Sequence, residues 1–144
     1  MAYQGKFRPK HPQKYKGDPS NIIYRSLWEF KLMRYLDKHP EISQWASEEH
    51  IIPYRSPIDG RKHRYFPDFW IKKSDGSCSL IEVKPAAQTK PPVRVSKNMK
   101  PTRSQLNEIM TYGINKAKWE AAQKYCTQKG WSFLIMTEKE LGIK

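Results

Sequence analysis

The sequence predicts an α/β (α+β) domain, a mixed central β-sheet flanked by helices, and three observations carry the prediction. A helical stripe over residues 26–38 is followed by several short apolar runs separated by turn signals. A long helical stretch over residues 102–129 then returns to one more β-rich run, which is the crossover that a parallel strand pair requires. The length of 144 residues suits one sheet with covering helices and is too small for two independent cores.

Residues 1–20 are basic and proline-containing, with Lys6, Arg8, Lys10, Lys14 and Lys16 set against the single acid Asp18. They read as an irregular arm preceding a single domain over residues 21–144. The arm is either a solvated tail or a strip lying along phosphates, and the interleaved Tyr3, Phe7 and Tyr15 suit the second reading.

The first helix starts at Ser26, an N-cap residue, and ends near Lys38 because Pro40 prevents continuation. Leu27, Trp28, Leu32, Tyr35 and Leu36 recur at helical spacing and form its core side, while Lys31, Arg34 and Lys38 lie opposite. Ser26 and Glu29 form S-x-x-E, a capping box in which the glutamate reaches back to a backbone N–H. Arg25, just before the cap, is positioned to meet a phosphate at the helix N-terminus.

Residues 42–54 read as extended structure interrupted at Pro53. Asp59-Gly60 is a turn signal before a further strand over residues 61–71, so a meander of three or four strands ending at Lys84 is expected. Glu48 and Glu49 fall in this region and read first as edge-strand solubility, with support of a neighbouring acid site as the other role. Residues 84–103 are the least regular internal stretch, with Pro85, Pro91, Pro92 and Pro101 and with Lys90, Arg94, Lys97, Lys100 and Arg103 unopposed by any acid. Such a loop is a linker or a clamp on DNA. The helical region that follows is expected in two segments, broken near residues 113–115 with Asn115 as the second cap and Gly130 as the stop. Residues 131–136 form the returning strand, and Thr137-Glu138-Lys139-Glu140 offers a capping box for a short final helix.

A net charge of +13 and a pI near 9.8 favour a polyanionic partner. No apolar run approaches the roughly 18 residues needed to span a bilayer, and residues 1–20 contain no hydrophobic stretch like a secretory signal, so a soluble intracellular protein with no membrane partner is expected. Cys78 and Cys126 lack C-x-x-C spacing and read as reduced core thiols. His11, His39, His50 and His63 form no paired motif, which argues against zinc.

The chemistry concentrates in Phe66-Pro67-Asp68-Phe69-Trp70 and, fourteen positions from Asp68 to Glu82, in Ile81-Glu82-Val83-Lys84. Strand side chains alternate, so Leu80, Glu82 and Lys84 share one face while Ile81 and Val83 share the other. The Ser74-Asp75-Gly76-Ser77 turn lets the two runs pair as antiparallel neighbours and brings Asp68 beside Glu82. Hydrolysis of a phosphodiester requires charge neutralisation on oxygen and an activated water. Mg²⁺ held by one or two carboxylates supplies both, and an ammonium such as that of Lys84 can orient the water or offset developing charge. Each acid has an ordinary reading as a turn or edge charge. Their joint placement inside apolar runs is what points to a ligand.

Pro67-Asp68, the spacing and Glu82-Val83-Lys84 together resemble the PD-(D/E)xK nuclease signature. The resemblance implies a restriction-endonuclease-like core, with Asp68 and Glu82 as metal ligands, Lys84 as catalytic lysine and Glu29 as a helix acid joining the site. It also implies Mg²⁺ as cofactor, with Mn²⁺ as substitute. A closer likeness, to TnsA-type transposon end-cleaving nucleases and to head-completion nucleases of T-even-like phages, covers nearly the whole chain. It rests on Met1-Ala2-Tyr3, Gly5-Lys6, Pro9-Lys10, residues 15–18, Tyr24-Arg25-Ser26, Arg64-Tyr65-Phe66, Lys118-Trp119, Ala121-Ala122-Gln123 and Thr137-Glu138. The phage likeness implies an endonuclease acting in the host cytoplasm after DNA packaging and before tail joining, with DNA and phage head or neck proteins as partners. TnsA-type enzymes carry a further partner-binding domain beyond the nuclease core, so the length here favours the phage group. The competing expectation is a non-catalytic DNA-binding head-completion protein. DNA contacts are expected at Arg25, Lys90, Arg94, Lys97, Lys100 and Arg103.

Overall fold

The apolar runs that carry the acid motifs pair at the centre of a mixed four-stranded sheet. The computed structural model describes residues 4–92 and 100–142. In chain order these contain β1 (Gly5–Phe7), β2 (Ile22–Tyr24), α1 (Leu27–Lys38), β3 (Ile42–Ser47), β4 (Ile52–Arg55), β5 (Lys62–Tyr65), β6 (Phe69–Lys73), β7 (Cys78–Val83), α2 (Arg103–Lys129) and β8 (Ser132–Met136). The central sheet runs β3-β6-β7-β8; β6 is antiparallel to both β3 and β7, and β8 is parallel to β7. The parallel pair needs a crossover, and α2 supplies it.

Alternation along the strands divides the core in two. Trp45, Phe69, Ile71 and Ile81 pack with Leu32, Met33 and Leu36 of α1, whereas Ala46, Trp70 and Leu80 pack with Ala122 and Cys126 of α2. One helix thus covers each face. Leu80 and Ile81, adjacent in β7, are both fully buried, as expected for a strand covered on both sides. Ser26 caps α1 by accepting from the Glu29 N–H at 3.1 Å, and the helix gives way to extended backbone at His39, before Pro40. Cys78 and Cys126 are free thiols, and Cys126 is fully buried. No helix among the described residues is long and apolar enough to cross a membrane.

Five local expectations are corrected. Residues 61–71 are not one strand: Pro67 has no N–H for a ladder, and β5 ends before it while β6 begins after Asp68. β4 and β5 form a separate hairpin around Asp59-Gly60, so the central strands are not a simple meander. Its turn uses Gly60 at φ 69°, with the Arg61 N–H donating to Asp59 Oδ1.

The basic segment at the N-terminus is not irregular throughout. β1 pairs with β2, and Phe7 and Tyr15 enter the core beside Trp45. The buried Asp37 carboxylate accepts from the Lys10 and His11 N–H groups, and Lys14 Nζ donates to the Asp37 and His39 carbonyls at the end of α1. A lysine that read as part of a solvated or phosphate-lying arm therefore satisfies helix C-terminal carbonyls.

α2 runs unbroken through Gly113 and Asn115. It begins with a reciprocal capping box between Thr102 and Gln105, and Gly130 closes it at φ 73°. With the start already capped, Asn115 has no cap to make. The last expected helix is a turn only: the Thr137 N–H and Oγ1 both donate to Glu140 Oε2, and the chain closes on itself without propagating.

Candidate active site

Asp68 lies at the junction where Pro67 ends the approach to β6, and its carboxylate continues the ladder that the backbone cannot. Oδ2 accepts from the Val83 N–H at 2.7 Å, which fixes the side chain at the end of β7. Glu82, one residue earlier in β7, is buried and faces Asp68. Burial, and then the charges of Glu82 and Glu29, raise the Asp68 carboxyl to about 8, although the Val83 bond acts the other way. Tyr65 lies buried beside Glu82, and burial followed by that negative charge pushes its phenol far above the ordinary range. Sequence reasoning used Tyr65 only in the family likeness and gave it no role in the site.

Glu29 reaches the same place from the first turn of α1. Its Oε2 accepts from the Arg25 N–H at 3.1 Å and from Ser26 Oγ at 3.3 Å, while its own N–H donates to Ser26. The capping role is thus present, though the backbone partner is Arg25 rather than the cap residue. Burial raises the Glu29 carboxyl above its usual value. Capping and membership of the cluster coexist on one side chain.

Glu48 is the acid that reads first from sequence as edge-strand solubility, with support of a neighbouring acid site as its other role. It follows β3 directly, with a left-handed backbone at φ 53°, a conformation that non-glycine residues rarely adopt. Its N–H donates to the Asp68 carbonyl at 3.0 Å, and its carboxylate pairs with Arg25 Nη1 at 2.7 Å. Carboxylate oxygens of Glu29, Glu48 and Asp68 lie within 4.8 Å of one another. The break in the alternation of β3 at Ser47-Glu48-Glu49 is the sequence signal for the turn. Nothing local signals that the chain brings positions 29, 48 and 68 together.

A cleft of about 480 Å³ opens over this cluster, and Arg25, Glu29, Asp68, Glu82, Lys84 and Gln88 are among its walls. All four expected members of the catalytic set therefore share one cleft. Lys84 leaves β7 with its N–H donating to the Met136 carbonyl, and the Ala86 N–H that follows is held by Glu138, so the start of the long loop is pinned to the end of β8. Of the expected DNA contacts, Arg25 lines the cleft but is engaged by Glu48. Lys90, Lys100 and Arg103 are exposed, and Arg94 and Lys97 lie outside the described residues.

Several carboxylates brought together out of water are costly unless a proton or a cation is shared among them. The donors are all oxygen, and no lysine or arginine other than Arg25 forms an ion pair with any of them among the described residues. That donor set suits a hard divalent cation. A phosphodiester drawn into the cleft by the basic surface would meet such a cation with Lys84 alongside.

Comparison with known proteins agrees with this chemistry. Residues 39–138 match the family described as TnsA-like endonuclease N terminal. The sequence is also 45% identical over 148 residues to the head completion nuclease of Enterobacteria phage T4, across 100% of this chain and 99% of that protein.

Proposed function

We propose, from the premise that this chain belongs to the TnsA-like endonuclease family, that it is a divalent-metal-dependent DNA endonuclease of phage head completion. It acts after DNA packaging and before tail joining, in the host cytoplasm. The observation that carries the reading is the meeting of Glu29, Glu48 and Asp68 oxygens within 4.8 Å, beside the cleft that Glu29, Asp68, Glu82 and Lys84 line. The full-length likeness to a head completion nuclease supports the assembly role.

Asp68 and Glu29 would hold the ion, with Glu48 converging on them and Glu82 beside Asp68 as the further expected ligand; Mg²⁺ fits the oxygen donors, and Mn²⁺ would substitute. When bound, the cation supplies charge neutralisation at the phosphate and acidifies water. The Lys84 ammonium orients the attacking water and offsets charge developing on the phosphoryl oxygens. Arg25, exposed at the cleft edge beside the start of α1, takes a flanking phosphate. Water attacks phosphorus, the bond to the leaving oxygen breaks, and a proton reaches that oxygen.

Cleavage of supercoiled plasmid tests the reading. Mg²⁺ or Mn²⁺ should support nicking and linearisation, and excess chelator should stop both. Asp68→Ala and Lys84→Ala should each lose about a hundredfold or more in rate while retaining the fold and DNA binding. A wild-type protein that retards DNA yet leaves it uncut with either metal would replace the enzyme with a DNA-binding head component.

A further inference from the structure

Beside the cleft lies a second hollow of about 520 Å³, between the loop after Lys84 and the N-terminal half of α2, within the size range of small-molecule sites. Gln88 lines both spaces, so a strand seated in the cleft has a route into the hollow. The walls are unlike a phosphate site. Lys90 is the one cation among them, and the carboxylate of Glu108 opposes it. The remainder includes the carboxamides of Gln88, Asn107 and Asn115 and the half-buried ring of Tyr112.

Asn115 supplies an independent indication of a ligand. Its residue is only 7% exposed, it borders the hollow, and its side chain has no hydrogen-bond partner among the described residues. Its amide atoms are not sealed from solvent, so they are open to a partner in the hollow. Asn115 is also not needed to cap a helix, since α2 runs straight through it. A carboxamide offers a paired donor and acceptor, the pattern by which Asn and Gln meet the edge of a base, and an aromatic ring offers a stacking face.

We propose that this hollow receives an unpaired nucleobase of the substrate strand next to the scissile phosphate, with Tyr112 stacking on the base and Asn115 bonding its edge. The inference rests on the nuclease reading and deepens it. The protein then favours DNA with a frayed, overhanging or branched region at the cut, because a duplex base would have to leave its stack to enter.

The test is a binding cycle on overhang-bearing duplexes, intact or with one abasic position scanned across the junction. Affinity is read by fluorescence anisotropy with Mg²⁺ in an Asp68→Asn background, so that DNA is not consumed. One abasic position should weaken binding about tenfold, the scale of a single base–aromatic stack. In Tyr112→Ala the intact DNA should bind about tenfold more weakly, and the abasic position should cost nothing further. Asn115→Leu should flatten any preference among the four bases at that position; if it fails to fold by circular dichroism, the Tyr112 cycle decides alone. A flat abasic scan, or losses that multiply in the cycle, would overturn the pocket, as would a hollow that holds only water and leaves both variants indistinguishable from the parent. Metal-dependent cutting of the same DNA by wild-type protein is scored separately, so failure of the nuclease reading appears there and not in the cycle.

Discussion

Burial gives Asp68 a thermodynamic cost as well as a role. Its carboxyl is raised to about 8 from an ordinary 3.8, so the folded chain holds that proton more tightly than the unfolded chain. The stability associated with the protonated group is present below the ordinary value and is lost as pH rises through about 8. Asp68→Asn can still accept from the Val83 N–H and cannot ionise. In chelator, urea unfolding should show the variant more stable than wild type at pH 8 and nearly equal to it at pH 4; a difference independent of pH would reject the shift. That Asp68, Glu82 and Lys84 would share one cleft could be read from sequence because the strand period and the turn at residues 74–77 fix their mutual placement locally. Glu48 could not, because its position depends on a positive φ and on three chain-distant elements meeting.

Among the elements, α1 shows where sequence reasoning is strong and α2 where it is weak. Caps and a proline stop act within a turn of the residues that define α1, so both its ends were readable. In α2 the local penalty at Gly113 is overridden by a capped start and by a second half anchored in the core through Ala122 and Cys126. A Cβ at Gly113 would meet only Pro57 Cγ, at an ordinary 3.9 Å. Gly113→Ala should therefore stabilise the protein by about 0.5–1 kcal/mol, seen as a higher melting temperature, and destabilisation would mean that the helix is not continuous there. The basic N-terminal segment was misread because charge dominated its composition while two aromatic side chains decided its packing. Phe7 is buried against Trp45 and Phe30, so Phe7→Ala should cost about 3–5 kcal/mol in denaturant unfolding. A cost below about 1 kcal/mol would restore the free arm.

Across the whole molecule, a surface charge of +13 surrounds a cleft whose floor is acidic. The positive field draws DNA in from any direction and is screened by salt, while the buried acids repel the phosphate unless a cation intervenes. The proposed metal would resolve that opposition, and the sheet supplies the geometry by ending β7 beside Asp68 and the start of α1. Manganese binding followed by electron paramagnetic resonance at pH 8, with wild-type and Asp68→Asn protein titrated in parallel, addresses this most directly. Wild type should bind Mn²⁺, and the variant should bind at least about tenfold more weakly. Equal affinity in the two proteins, or no binding by a wild type that nevertheless cuts DNA, would contradict the account.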